Sequence, residues 1–411
     1  MILNETTLGE VSSCIQTGPF GSQLHQSDYS EIGTPVVMPK DLLNGKICED
    51  SIARVSEDHV KRLSRHKIEI GDILYSRRGD VGRCAYATES ETGWLCGTGC
   101  LRVTIDAQKA DSRYVFYRLQ MPETIGWVVN HAVGSTMLNL NTSILGEVPI
   151  KLPSLEEQKA VVRVLSVYDG LIENNQKQIK LLEEAAQRLY KEWFVDLRFS
   201  GYENTPIIDG VPQGWKKSAF SDVFTFVRGK SYTSKELSES DGVLMVNLKN
   251  IRAYGGYKRN AEKRFTGAYK EEQLLVGGDV VMGVTDMTQE RRLVGHVALI
   301  PSFNEKVTFS MDLIKLMPSS VSKNYLYCAL QYGGYSEQIA PLANGVNVLH
   351  LKPEAMMKME MLVPDENTIR TFDVQFEAVR LKIEALEKQC NLAVQARDRL
   401  LPKLMSGELE V

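Results

Sequence analysis

Two short stretches of this chain gather side chains able to make directed hydrogen bonds to anions or to the edges of heteroaromatic rings. The first is Ser76-Arg77-Arg78-Gly79-Asp80, with Gly82-Arg83 close behind; it follows a run expected to be a strand. The second is Thr285-Asp286-Met287-Thr288-Gln289, with Arg291 and Arg292 just after, and it follows a corresponding run. A guanidinium fork presents parallel N–H donors that match a phosphate or the edge of a base. Hydroxyl and amide groups can anchor phosphates or read bases, and glycines leave the backbone within reach. The plainer alternative for both loops is solvated charge with local ion pairs.

Weaker candidates lie nearby. Thr17-Gly18-Pro19-Phe20-Gly21-Ser22-Gln23 and Arg228-Gly229-Lys230-Ser231-Tyr232 occupy equivalent early places, and glycine turns carrying Ser22, Gln23, Arg228 and Lys230 suit phosphate contact as well as they suit an ordinary strand-end turn. Lys40 with Asn44 loosely matches Asn247, Lys249 and Asn250. The basic run Lys61, Arg62, Arg65, His66, Lys67 reads as a solvated helix face that could add a salt-dependent phosphate term.

Catalytic signatures are missing from the sequence. Arg228-Gly229-Lys230-Ser231 contains Gly-Lys-Ser, but Phe224 stands where a phosphate-binding loop needs its first glycine. There is no His-Glu-x-x-His and no Ser-His-Asp signature. Cys96 and Cys100 have metal-like spacing with no second ligand pair close by. The six histidines are scattered. The pattern is that of a binder, with no cofactor of its own.

These loops need elements to hold them. Gly33–Met38, Asp72–Ser76, Leu101–Ile105, Val243–Asn247, Val280–Val284 and Val294–Ile300 are apolar or β-branched runs that predict strands. Ser112–Met121 and Lys323–Gln331 predict short helices, so the fold expected is mixed α+β. Two longer helices follow. Val161, Leu165, Tyr168, Ile172, Asn175, Ile179, Leu182, Ala186, Leu189 and Trp193 step by four and three, and Phe372, Phe376, Val379, Ile383, Leu386, Cys390, Ala393, Arg397, Leu400 and Leu404 do the same, each 211 residues later. That rhythm is a coiled-coil seam. Pro153-Ser154 followed by Glu156 and Glu157, and Pro364-Asp365-Glu366, supply the starts. Ser154 through Phe194 extends about 60 Å as a helix. One apolar stripe must bury itself on a partner, and the other copy, packed antiparallel, is the natural one. Asn175 and Arg397 interrupt the seams, either to fix register or to meet another protein. An exposed Trp193-Phe194 end would suit subunit docking.

The duplication continues outside the helices. Gly71-Asp72-Ile73-Leu74 answers Gly278-Asp279-Val280-Val281, and Tyr114, Leu119 and Gln120 answer Tyr325, Leu330 and Gln331. Gly134 before Leu138-Asn139-Leu140 answers Gly345 before Leu349-His350-Leu351. The expected organisation is therefore head 1 over 1–153, a central helix over 154–197, a Gly/Pro/Asn linker over 198–214, head 2 over 215–363 and a second long helix over 364–411. Heads with one frame and different loops suggest one type of task on different targets; neutral drift of surface loops is the alternative. Net charge is −4, split as −3 in 1–153, −2 in 154–205, +3 in 206–363 and −2 in 364–411, so any surface for an anionic partner is a local patch. No run approaches the roughly 18 apolar residues of a membrane helix. With seven unevenly placed cysteines and no basic-then-apolar start, the sequence reads as that of a cytoplasmic protein.

Order, spacing and duplication together give a resemblance that covers essentially the whole chain. GDILYSRRGDVGR at 71–83, LPSLEEQKAVVRVL at 152–165, LIENNQKQIKLLEEAAQRLYKEWFVD at 171–196, VPQGWKKSAFSDV at 211–223 and ARDRLLPKLMSGEL at 396–409 resemble the specificity subunit of type I restriction–modification systems. The resemblance implies that each head is a target recognition domain reading one half of a split double-stranded DNA sequence. It implies an antiparallel helix pair that spaces the heads and docks methyltransferase (modification) subunits, and through them the restriction subunit. Catalysis, with S-adenosylmethionine, ATP and Mg, would belong to those partners. A two-headed protein-binding scaffold is the competing expectation.

Overall fold

The computed structural model describes residues 2–50, 52–134 and 137–411. The chain divides into two compact units: Met1–Glu173 with Cys390–Val411, and Asn174–Gln389. Both long helices, Leu155–Tyr190 and Glu366–Ser406, pass from one unit into the other. The compact units therefore cut across the helices, whereas the sequence-based division keeps each helix whole. Among the described residues no helix is long and apolar enough to cross a membrane.

In the first unit a four-stranded antiparallel sheet has the order Ser12–Thr17, Cys100–Ile105, Ile73–Ser76, Cys84–Tyr86. A second sheet runs Leu95–Cys96, Thr34–Val37, Ala53–Val55, Tyr29–Ser30, and its first pair is parallel. Asn4–Thr7 pairs with Pro149–Leu152.

The second unit repeats this design. Its antiparallel sheet has the order Phe224–Arg228, Leu313–Pro318, Val280–Gly283, Val297–Leu299. The other runs Val307–Phe309, Val243–Val246, Lys263–Phe265, Leu237–Ser238, again with a parallel first pair. Lys216–Ala219 pairs with Glu360–Val363. The expected strand Val294–Ile300 is shortened to Val297–Leu299, because Gly295 turns the chain at φ +80° beside the backbone of Ala340.

Both long helices start on side-chain caps. The Glu157 carboxylate accepts from the backbone N–H and hydroxyl of Ser154, and the Glu157 N–H returns a bond to the Ser154 hydroxyl. Asp365 accepts from the N–H groups of Asn367 and Thr368, from the Thr368 hydroxyl and from the Trp215 indole. These hydrogen bonds outweigh the burial that opposes ionisation, so its carboxyl lies below the usual carboxylate range.

Within each unit the helices run antiparallel. In the first, Val161 and Leu165 pack in one core with Leu404 and Met405, while Arg397 pairs with Asp169 at 2.9 Å and the Cys390 thiol points to the Ile172 carbonyl. Asp169 also receives the hydroxyl of Tyr117 and the guanidinium of Arg113. In the second, Tyr190, Trp193 and Phe194 pack with Phe372 and Phe376. Centroids lie 6.0 Å apart for Trp193–Phe372 and 4.9 Å for Phe194–Phe372. Trp193 and Phe194 are thus 7 % and 5 % exposed, which corrects the expectation of an exposed aromatic end. Trp215, from just beyond the linker, and Tyr325, distant in sequence, pack on Phe194. Asn175, 2 % exposed, donates to the side-chain carbonyl of Gln389. The expected linker is structured too: it carries the hairpin Ile207–Ile208 with Val211–Pro212 and buries Phe199 against Trp215.

Candidate nucleic-acid interface

At one end of the four-stranded sheet in the first unit, several turns converge. The chain leaving Ser12–Thr17 turns at Gly18, whose N–H donates to the Cys100 carbonyl; a Cβ added to Gly18 would lie 2.0 Å from the Gly97 carbonyl oxygen. Only glycine lets these backbones approach so closely. The Thr98 hydroxyl donates to the Pro19 carbonyl. Arg77, just past Ile73–Ser76, donates its N–H to Gly99 and receives the Leu140 N–H on its carbonyl, both at 2.8 Å. Arg78 bridges to Asn139, so the crossover segment that includes Val133 and Asn139 joins the cluster.

The second unit builds the same cluster. Gly229 sits against the Ser310 carbonyl, again with a Cβ distance of 2.0 Å. Val284 donates to Asp312 and accepts from Leu351, both at 2.8 Å, in the bonding pattern of Arg77. Thr285 pairs with His350 as Arg78 does with Asn139. The paired backbone ladder makes Arg77 and Val284, and Arg78 and Thr285, positional equivalents.

The side chains nominated from sequence fall into two groups. In the first unit Arg77 is half-buried, with its guanidinium over the Phe20 ring at 5.9 Å to the centroid, and Arg78 is exposed. Arg83 pairs with Asp80 at 2.8 Å. Gln23 accepts from the Phe20 N–H, shaping the turn that holds Phe20 out, and Ser22 is exposed beside it. Lys40 is exposed on the short turn Pro39–Asp41, and the Asp41 carboxylate caps that turn.

In the second unit more of these groups serve the chain itself. Asn247 is buried and donates to Asn250 and to the Ala261 carbonyl. Its own amide oxygen accepts from Lys249, whose side chain is exposed. Asp286 is buried and accepts from the N–H groups of Thr288 and Leu293 and from the Thr288 hydroxyl. Those bonds overcome its burial and hold its carboxyl below the ordinary range. Thr285 donates to Asp312, and Gln289 to the Val346 carbonyl. Arg228 donates from Nη2 to both carboxylate oxygens of Glu354, Arg292 pairs with Glu290, and the Lys230 backbone ties to Phe309 and Met311. Arg291 adopts φ +53°. Polar residues that cap their own turns are common chemistry; beside the exposed Thr288, Gln289 and Arg292, the apolar Met287, Met311 and Val346 are also exposed.

Phe20, Met287, Met311 and Val346 were not singled out from sequence. Phe20 had one usable signal: an aromatic between glycines and proline in a turn is hard to bury. In the basic run 61–67 only part is a solvated face, because His66 is 1 % exposed. The helix residues Asn175 and Arg397 spend their polar groups on Gln389, Asp169 and Asp398. Among the described residues no group of three or more His, Cys, Asp or Glu side chains could hold a metal ion.

Comparison with known proteins shows what this chain is similar to. Residues 4–184 match the family model for the type I restriction modification DNA specificity domain. The type I restriction enzyme MjaIX specificity subunit of Methanocaldococcus jannaschii is 26 % identical over 384 residues, covering 92 % of this chain and 87 % of that one. The HindI specificity subunit of Haemophilus influenzae is 20 % identical over 437 residues, covering 90 % and 93 %. The crystal structure of the type I restriction–modification S subunit from M. genitalium shares the fold, with a TM-score of 0.60 at 17 % identity over 98 % of this chain and 96 % of that one. Over most of its length the chain is thus similar to type I restriction enzyme specificity subunits, and its residues 4–184 match their DNA specificity domain.

Proposed function

We propose that the chain reads a bipartite, asymmetric double-stranded DNA target, one head per half-site, without catalysis of its own. The observation that carries this reading is the turn cluster built twice on one topology, at the same end of the same sheet, with different side chains at equivalent positions. A frame repeated with altered contact residues is what two related but different half-sites require. On this reading the target recognition domains are residues 1–153 and 215–363, joined by the linker 198–214. Ser22, Gln23, Lys40, Arg78, Arg83, Lys230 and Lys249 serve the phosphate backbone, and the loops after Ser76 and Val284 face the bases. The buried Thr285 and Asp286 shape the loop after Val284, and the buried Asn247 shapes the turn that carries Lys249.

The helices 154–197 and 364–411 act as the spacer. Their antiparallel contacts within each unit support that role, with Asn175 and Arg397 fixing register. The specificity-subunit names of the relatives support docking to methyltransferase subunits, and through them to a restriction subunit, in the cytoplasm. S-adenosylmethionine, ATP and Mg would act in those partners. A protein-binding scaffold is disfavoured by the arginine and amide groups in the matched loops.

Genome-wide methylation mapping of the host with and without the gene tests the reading. We expect deletion to erase methylation at one motif made of two short constant runs separated by a fixed gap. Methylation unchanged by the deletion would sink the proposal.

A further inference from the structure

We propose that Arg77 is a specificity-determining residue that reads a guanine in the half-site of the first head, through paired hydrogen bonds to O6 and N7. The inference rests on the DNA-reading function above. Four observations carry it. The Arg77 backbone is pinned on both sides, by Gly99 and by Leu140. Its guanidinium lies over Phe20, and that ring is itself 52 % exposed. A planar cation held on a ring face is pre-oriented, so little rotamer entropy is lost when it meets a base. Among the described residues no carboxylate pairs with Arg77, whereas neighbouring Arg83 is tied to Asp80, and Arg228 and Arg292 in the second head are tied to Glu354 and Glu290. Finally, Arg77 Nε is buried without a hydrogen-bond partner, a donor unmatched within the chain.

The duplicated architecture supplies an internal control. Val284 holds the equivalent place with the same two backbone bonds and is 6 % exposed. It carries no donor, so the second head reads no guanine from this position. Arg78, exposed and next to Gly79, has no such platform and fits phosphate contact.

The test is selection of randomised duplex DNA by the chain purified in complex with the methyltransferase subunit of its host, using wild type, Arg77→Ala and Phe20→Ala. For wild type we expect a fixed guanine in one of two constant runs. Arg77→Ala should lower preference for that guanine by about tenfold to a hundredfold, leaving the other run intact as a measure of folding and assembly. Phe20→Ala removes an exposed ring, leaves the fold alone, and should weaken the same preference less. A guanine preference unchanged in Arg77→Ala, or no guanine in that run, would overturn the assignment. So would a uniform loss of binding to all sequences with the melting profile unchanged, which marks phosphate contact. If wild type selects no bipartite motif at all, the DNA-reading function itself fails.

Discussion

The two heads share strand order, parallel pair, turn cluster and close-approach glycines, yet they place different chemistry on that frame. At one pinned backbone position the first head holds Arg77 and the second Val284. Around it the first exposes Phe20 and Arg78, and the second exposes Met287, Met311 and Val346. The seams differ similarly: an ionic cluster at Asp169 in the first unit, an aromatic cluster at Phe372 in the second. What the two copies keep is the geometry that positions side chains. What they vary is the side chains positioned.

The sharpest way to break this comparison is at the seams. Phe372→Ala removes a fully buried ring from the aromatic cluster and should destabilise the second unit by about 3–5 kcal/mol, read by denaturant unfolding. Its counterpart Val161→Ala deletes fewer atoms and should cost the first unit less. Equal losses would refute the claim that the seams are built differently.

A pH difference comes next. Burial, then the charges of Arg65 and Arg102, lower the pKa of His66 to about 4. The paired bridges Lys67–Leu95 and Leu275–Val307 put Leu274 at the equivalent place in the second head. Unfolded His66 binds a proton near pH 6.5, while folded His66 stays neutral until about pH 4. Between those values the unfolded state holds the extra proton, so stability falls as pH drops, by roughly 3 kcal/mol in all. His66→Leu should flatten that slope for the first unit. A slope of equal size in the variant would show that other groups cause it.

Gly18→Ala and Gly229→Ala should each cost about 1–3 kcal/mol, because the new Cβ meets backbone carbonyls that cannot turn aside. Similar losses in both would sharpen the claim of a common frame. A neutral Gly18→Ala would contradict it.

Much of this was legible in the sequence because it is periodic or local. The four–three rhythm marked both long helices, and Ser154 and Asp365 marked their starts. Gly-Asp before Ile73 and before Val280 marked matched strands. What escaped depends on contacts between distant segments. Trp193 and Phe194 looked exposed because Phe372, which covers both, and Tyr325, which covers Phe194, lie far along the chain. His66 hid inside a run of charges. Arg77 and Val284 each lie six residues past the matched Gly71 and Gly278, and the backbone ladder shows that the two heads keep that register. Asn247 and Asp286 looked available for a ligand, but they are consumed in capping their own turns.

The central claim is that two differently equipped readers are held at a set separation by the paired helices. Deleting one heptad from each long helix, in matched register, and then mapping methylation tests it most directly. One heptad is about 10 Å, or roughly three base pairs at about 3.4 Å each. We predict that both half-sequences persist while the gap between them shortens by about that amount. A motif with both halves intact and its gap unchanged would contradict the account.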